Sequence, residues 1–200
     1  MVITNLQAIQ GLGNLITWYQ SDLNYISLFK KYKNSDIGDK EYLDNNKGFQ
    51  KFINEYKVAR NVKKARVSDC MKFTKEYILK NTSFSIDNLA IALKEKEITQ
   101  DGKIMTSLAS KLLFLNNPVN VIIIDTLNRR AVNEKTNNYN NFKQKVKKFQ
   151  QKNINIIQKY LTTADVLLKE IENNYQDLEI DFEQYRKMRY TDKILWTIGR

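Results

Sequence analysis

The chain has 200 residues, 42% of them hydrophobic and 11% aromatic, with 33 Lys and Arg against 22 Asp and Glu. That composition supports a folded core and excludes wholesale disorder, while the net charge of +11 points to an acidic partner. With no histidine and a single cysteine, Cys70, the sequence excludes His-based acid–base catalysis, Ser/His/Asp and Cys/His arrangements, His-ligated metals, disulfide frameworks and cysteine-ligated zinc or iron–sulfur centres.

Six glycines and one proline are too few breakers for a β protein with many tight turns. The spacing predicts an all-α chain of eight to ten helices. Leu6, Ile9, Leu12, Leu15, Ile16 and Tyr19 begin a first helix that tolerates Gly11 and Gly13, and Leu23, Ile26, Phe29 and Tyr32 form the next apolar stripe. Residues 33–48 are polar and read as a loop with a short helical turn. Phe49, Phe52, Ile53 and Tyr56 mark one helix. Val67, Met71, Phe73, Tyr77 and Ile78 mark another, stopped by Asn81-Thr82-Ser83. Cys70 within it reads as an inert buried thiol. Ser85 with Asp87 reads as a cap before Ile86, Leu89, Ala90 and Leu93. Turn chemistry at 99–103 leads into an apolar helix over Ser107–Leu115, stopped at Asn116-Asn117-Pro118. A buried apolar run, Val121–Ile124, then reaches Asp125, which opens a further helix. After an Asn-rich linker at 133–141, Phe142, Val146, Phe149, Ile156, Ile157 and Tyr160 predict one long amphipathic helix. Its lysine-rich face over 143–159 reads as a phosphate contact or as a solvated face, and the regular period favours the second. Two last helices are expected around 163–173 and 178–198, with Trp196 as a docking anchor.

The domain expectation is one all-α domain over 1–200, its lobes formed by 1–80 plus the C-terminal helices and by 81–135. No apolar run approaches the roughly 18 residues of a membrane span, and no secretory signal pattern opens the chain. With a lone cysteine besides, the expected protein is cytoplasmic with no membrane partner, and a monomer is expected. Abundant Asn, Lys and Ile reflect an AT-rich genome, but that bias does not deplete Asp and Glu. The positive surplus thus retains meaning, and nucleic acid is the leading partner.

Asp125 admits two readings. It is an N-cap accepting backbone N–H bonds in the first helical turn. Alternatively, it is an ionised carboxylate held at a positive helix end and facing a cleft, able to stabilise a developing cation or activate water. The stretch 102–132, GKIMTSLASKLLFLNNPVNVIIIDTLNRRAV, resembles the core of the helix-hairpin-helix DNA glycosylase superfamily. There a hairpin leads to an Ala-containing helix, an apolar run, and an Asp opening a D-[TSG]-x-[VI]-x-R helix. Ala109, Asp125, Thr126 and the Arg129-Arg130 pair follow that order. The C-terminal RYTDKILWTIG is similar to the tail of diverged members, where an Asp and a Trp stand near the domain end.

The resemblance implies a helix-hairpin-helix glycosylase-like fold, with two helical lobes around a cleft and Asp125 as the catalytic carboxylate. It also implies DNA contacts from Gly102, Lys103, Thr106, Ser107 and Lys111 at the hairpin and from Arg129 and Arg130 beside the aspartate. Lys63 and Lys64, in the basic cluster Arg60–Arg66, read as a flanking phosphate contact or as a solvated face. Lys111 reads either as a phosphate contact or as a side chain lying over the core. The chain departs from the family in lacking most glycines of its L-P-G-x-G hairpin, and Ser107 stands where lyase members carry their lysine. Hydrolysis without strand cleavage is the implied reaction, with no metal and no cofactor. The implied partner is double-stranded DNA, and the departures from the family hairpin point to an unusual substrate such as modified phage DNA attacked in antiviral defence. A non-catalytic basic DNA-binding module and an all-α interaction protein stay open as alternatives.

Overall fold

A computed structural model describes residues 1–43, 48–81 and 85–200. The described residues form ten α-helices and no strands: α1 (Asn5–Lys33), α2 (Asp39–Tyr42), α3 (Phe49–Glu55), α4 (Val67–Lys80), α5 (Ile86–Glu95), α6 (Thr106–Asn116), α7 (Thr126–Ala131), α8 (Tyr139–Lys152), α9 (Ile154–Glu172) and α10 (Phe182–Ile198). The all-α expectation holds. The chain divides into two compact units, Met1–Asn24 with Asn117–Arg200, and Tyr25–Asn116. Asp125 belongs to the first of these units and residues 102–116 to the second. The expected helix stop at 81–83 lies outside the described residues beyond Asn81.

The unit Tyr25–Asn116 is built on aromatic packing. Tyr32 stacks on Tyr42 with ring centroids 4.3 Å apart, and Phe52 lies 4.6 Å from Tyr56. Phe49 and Phe114 extend the row. Contacts of this kind contribute about 0.5–1.5 kcal/mol each beyond area burial. Helix α6 is buried on every side, including Ser110 and Lys111, so its apolar sequence belongs to an interior helix rather than an amphipathic one. Its neighbour α5 begins at Ser85, whose hydroxyl accepts the Asn88 N–H at 3.4 Å. Cys70 is fully buried on α4, and burial pushes its thiol up to about 12.

The other unit gathers the start of α1 with α7–α10. The first two apolar stripes of the sequence merge into the single 29-residue α1. Its core face is not the expected one. Ala8, Leu15 and Tyr19 are buried, whereas Leu6 and Ile9 are 64% and 53% exposed. Gly11 explains the choice, because a Cβ there would meet Ile194 of α10 at 2.7 Å, so the face bearing Gly11 is the one that packs. The long helix predicted across Phe142–Tyr160 is broken at Asn153. That buried side chain accepts the Ile3 N–H at 2.9 Å and donates to the carbonyls of Phe149 and Met1.

The run Val121–Ile124 is buried without belonging to a sheet, so its backbone groups need partners elsewhere. Tyr139 supplies two of them: its hydroxyl accepts from Ile122 N at 3.1 Å and donates to Ile122 O at 3.0 Å. Gly199 closes the unit. A Cβ there would stand 2.1 Å from the Leu127 carbonyl oxygen, so only glycine fits against α7. Gly13, by contrast, opens onto empty space. Urea denaturation is expected to show Gly13→Ala raising stability by about 1 kcal/mol and Gly199→Ala lowering it by about 1–3 kcal/mol. A neutral Gly199→Ala would contradict the packing described for α7.

Candidate functional site

Helix α7 has six residues, too few to persist alone in water. Its supports therefore define the geometry around Asp125. Asp125 has an extended backbone and caps α7, its Oδ1 accepting the Asn128 N–H at 2.8 Å. At the other end, the Arg130 guanidinium donates to the Gly199 carbonyl at 2.9 Å, and Arg129 donates to the Thr136 carbonyl at 3.2 Å. Glu134 fixes the loop that follows, accepting from the Thr136 hydroxyl and N–H at 2.7 Å each and pairing with Lys145 at 3.1 Å. The Thr136 bonds, then Lys145, hold the Glu134 carboxyl down at about 2.

Behind α7 runs a buried polar chain. Asn128, 1% exposed, donates its amide to Asp192 Oδ1 at 2.6 Å and to the Ile123 carbonyl at 2.9 Å. Both partners are acceptors, which fixes the orientation of the amide. The other oxygen of Asp192 accepts from Arg189 Nη1 at 2.7 Å. Arg189 in turn pairs with the fully buried Asp22 of α1, through Nε at 2.8 Å and through Nη2. Asp22, Arg189, Asp192, Asn128 and Asp125 thus form one continuous hydrogen-bonded series, from α1 across α10 to the start of α7. Removing one member of such a buried ion pair leaves an uncompensated charge, costing about 3–5 kcal/mol.

Lys193 stands next to Asp192 and is partly buried. Its ammonium lies 5.1 Å from the centroid of the Trp18 ring, within cation–π range. Burial, and then the Arg189 charge, lower its pKa to about 8, although Asp22, Asp192 and Asp125 act to raise it. A partly exposed lysine lowered to about 8, within electrostatic reach of the aspartate that caps α7, is an arrangement that functional sites favour. Asn14 and Thr197 border this cluster with a 3.0 Å hydrogen bond.

The structure brings Asp125, Arg129 and Arg130 together on one unit. Gly102, Lys103, Thr106, Ser107, Lys111, Lys63 and Lys64 belong to the other. Gly102 is exposed with a φ of +60°, and Lys103 pairs with Asp101 at 3.3 Å. Thr106 is buried at the start of α6, while Ser107 is partly exposed. Lys111 does not take the phosphate-contact role: it is 8% exposed, and its ammonium donates to the Tyr56 carbonyl at 2.7 Å. Lys63 is partly exposed, its backbone N–H on the Ile98 carbonyl, and Lys64 is exposed. Trp196, read as a docking anchor, is partly exposed and carries the Arg200 guanidinium over its ring at 3.4 Å.

Sequence reasoning passed over Asp22, Asn128, Arg189 and Lys193. A signal for Asp22 was present: a carboxylate three residues after Tyr19 and four before Ile26 falls on the buried stripe of its helix, where a charge needs a partner. No protein-family model, curated protein or solved structure matches the chain.

The lowered Lys193 sets a pH dependence. Below pH 8 the ammonium is charged in both the folded and unfolded states, and the cost of burying it is felt in full. As pH rises from 8 towards 10.5, the unfolded state binds more protons than the folded one, so this group makes stability increase. Urea titrations between pH 8 and pH 9.5 are expected to show that upward contribution in the native chain and its absence in Lys193→Met. Parallel curves for the two proteins would refute the shift.

Proposed function

We propose that the protein is a DNA N-glycosylase that removes a modified or unusual base by hydrolysis, with Asp125 as the catalytic carboxylate. The observation that carries this reading is the seating of Asp125. It follows a buried apolar run, caps a helix that has its own buried polar support, and shares a charged cluster with Lys193. Breaking an N-glycosidic bond builds positive charge on the deoxyribose. A fixed carboxylate stabilises that charge and orients or deprotonates the water that attacks C1′. Such chemistry needs neither histidine nor a metal, which suits this chain's inventory. The target base must leave the stack, at a cost of a few kcal/mol that pocket contacts offset. Arg129 and Arg130, a turn beyond Asp125 on α7, keep exposed surface besides their bonds to the Thr136 and Gly199 carbonyls and are the first choice for phosphate contacts on this unit. A modified-base substrate, including that of a phage genome, fits the degenerate hairpin at Gly102–Met105.

Asn caps helices about as well as Asp, so Asp125→Asn removes the charge and keeps the fold. On duplexes carrying normal, damaged or hypermodified bases, the native chain is expected to leave abasic sites that alkali converts to breaks. Asp125→Asn should lower the single-turnover rate by about 100-fold or more while binding DNA as before. Full activity in that variant, or no abasic product on any duplex, would sink the reading.

A further inference from the structure

The positive charge of the chain is unevenly placed. Residues 135–164 contain seven of the 33 basic residues and none of the 22 acidic ones, so this stretch carries +7 of the net +11. Most of that charge lies on α8. Its inner side, Tyr139, Phe142, Val146 and Phe149, is buried. Asn138 caps its first turn, accepting the Asn141 N–H at 2.9 Å, and Asn153 secures its end. Lys145 is spent on Glu134 and on the Asn133 carbonyl. Lys143, Lys147, Lys148 and Lys152 are exposed and form no ion pair with any described residue, and Gln144 and Gln151 are exposed between them. Four uncompensated ammonium groups on one rigid face repel one another and gain by meeting a line of negative charge. Other exposed lysines are balanced on their own helix, as Lys51 is by Glu55 and Lys80 by Glu76.

We propose that the outer face of α8, built from Lys143, Lys147, Lys148 and Lys152, is a docking surface for the phosphate backbone of duplex DNA. It deepens the glycosylase reading, on which its choice of DNA rests, by adding a sequence-independent grip outside the Asp125 cluster. Duplex DNA presents one negative charge per roughly 1.7 Å of axis, and a 14-residue helix spans about 21 Å. The interleaved glutamine amides add donors for phosphate and sugar oxygens. None of the exposed large apolar side chains lies on α8, so the face lacks what an interfacial membrane helix would insert. Tyr139 of α8 bonds the backbone of Ile122, three residues before Asp125. The grip and the aspartate are therefore attached through the same run of chain.

The test is fluorescence anisotropy of the full chain on a labelled duplex of unmodified bases, over a salt series starting near 50 mM. The substituted protein carries Lys143→Gln, Lys147→Gln, Lys148→Gln and Lys152→Gln, which keep helix propensity. Circular dichroism and the urea midpoint verify its fold. A control protein removes the same charge from exposed positions of the other unit: Lys31→Gln, Lys40→Gln, Lys94→Gln and Lys96→Gln. Four lost phosphate contacts should reduce the slope of log affinity against log salt by up to about 3.6 and weaken binding by roughly tenfold or more at the lowest salt. The control should change neither by a comparable amount. An unchanged slope in the α8 protein, or an equal fall in the control, overturns the proposal. So does binding to vesicles rich in phosphatidylserine with none to DNA. Face-dependent binding without any abasic product would uphold the docking surface and remove the glycosylase reading. Abasic product from an α8 protein that binds like the native chain would do the reverse.

Discussion

The Arg189 guanidinium, buried between Asp22 and Asp192, is the interaction on which the unit formed by Met1–Asn24 and Asn117–Arg200 depends. Each partner comes from a different place in the chain or a different turn, and none could be withdrawn from water without the others. A guanidinium suits this position because its forked N–H groups reach two carboxylates at once while the charge stays permanent. Apolar packing alone would hold α1 near α10 without fixing the register between them. The ion series specifies that register, and passes it through Asn128 to the first turn of α7.

That dependence gives the short α7 its significance. A six-residue helix carries little stability of its own, so every support is external: the Asp125 cap, the Asn128 amide, the Arg130 bond to Gly199, and the space that Gly199 leaves open. These supports converge from two stretches far apart in sequence. The carboxylate at the head of α7 is thereby held at a defined position with its neighbours already oriented, a condition that electrostatic catalysis and specific binding share.

Much of the fold was legible from the sequence, because helical periodicity, few glycines and one proline leave little choice of secondary structure. The starts at Ser85 and Asp125 were readable as caps since a short acceptor side chain stands just before each helix, with an apolar set after Ser85 and an apolar run before Asp125. What escaped were features decided by tertiary contact. The inward face of α1 depends on the close approach of Ile194 to Gly11, which no local pattern announces. The break at Asn153 depends on an amide recruited by the distant Ile3 and Met1. Around Asp125, the cap was visible but its supporting residues were not, because Arg189 and Lys193 look like ordinary helix-surface charges until Asp22 and Trp18 are placed beside them. Lys111 illustrates the converse: of the two readings the sequence left open, a phosphate contact or a side chain lying over the core, the choice turns on the Tyr56 carbonyl that its ammonium meets.

The burial of Cys70 has a practical side. Its thiol, with no exposed surface and titrating only near pH 12, yields almost no thiolate at neutral pH, and maleimides and oxidants have no path to it. To a labelling chemist the folded chain is silent. A single cysteine introduced at any exposed position would be the one reactive thiol, ready for a spin label or a fluorophore without removing the native residue from its core.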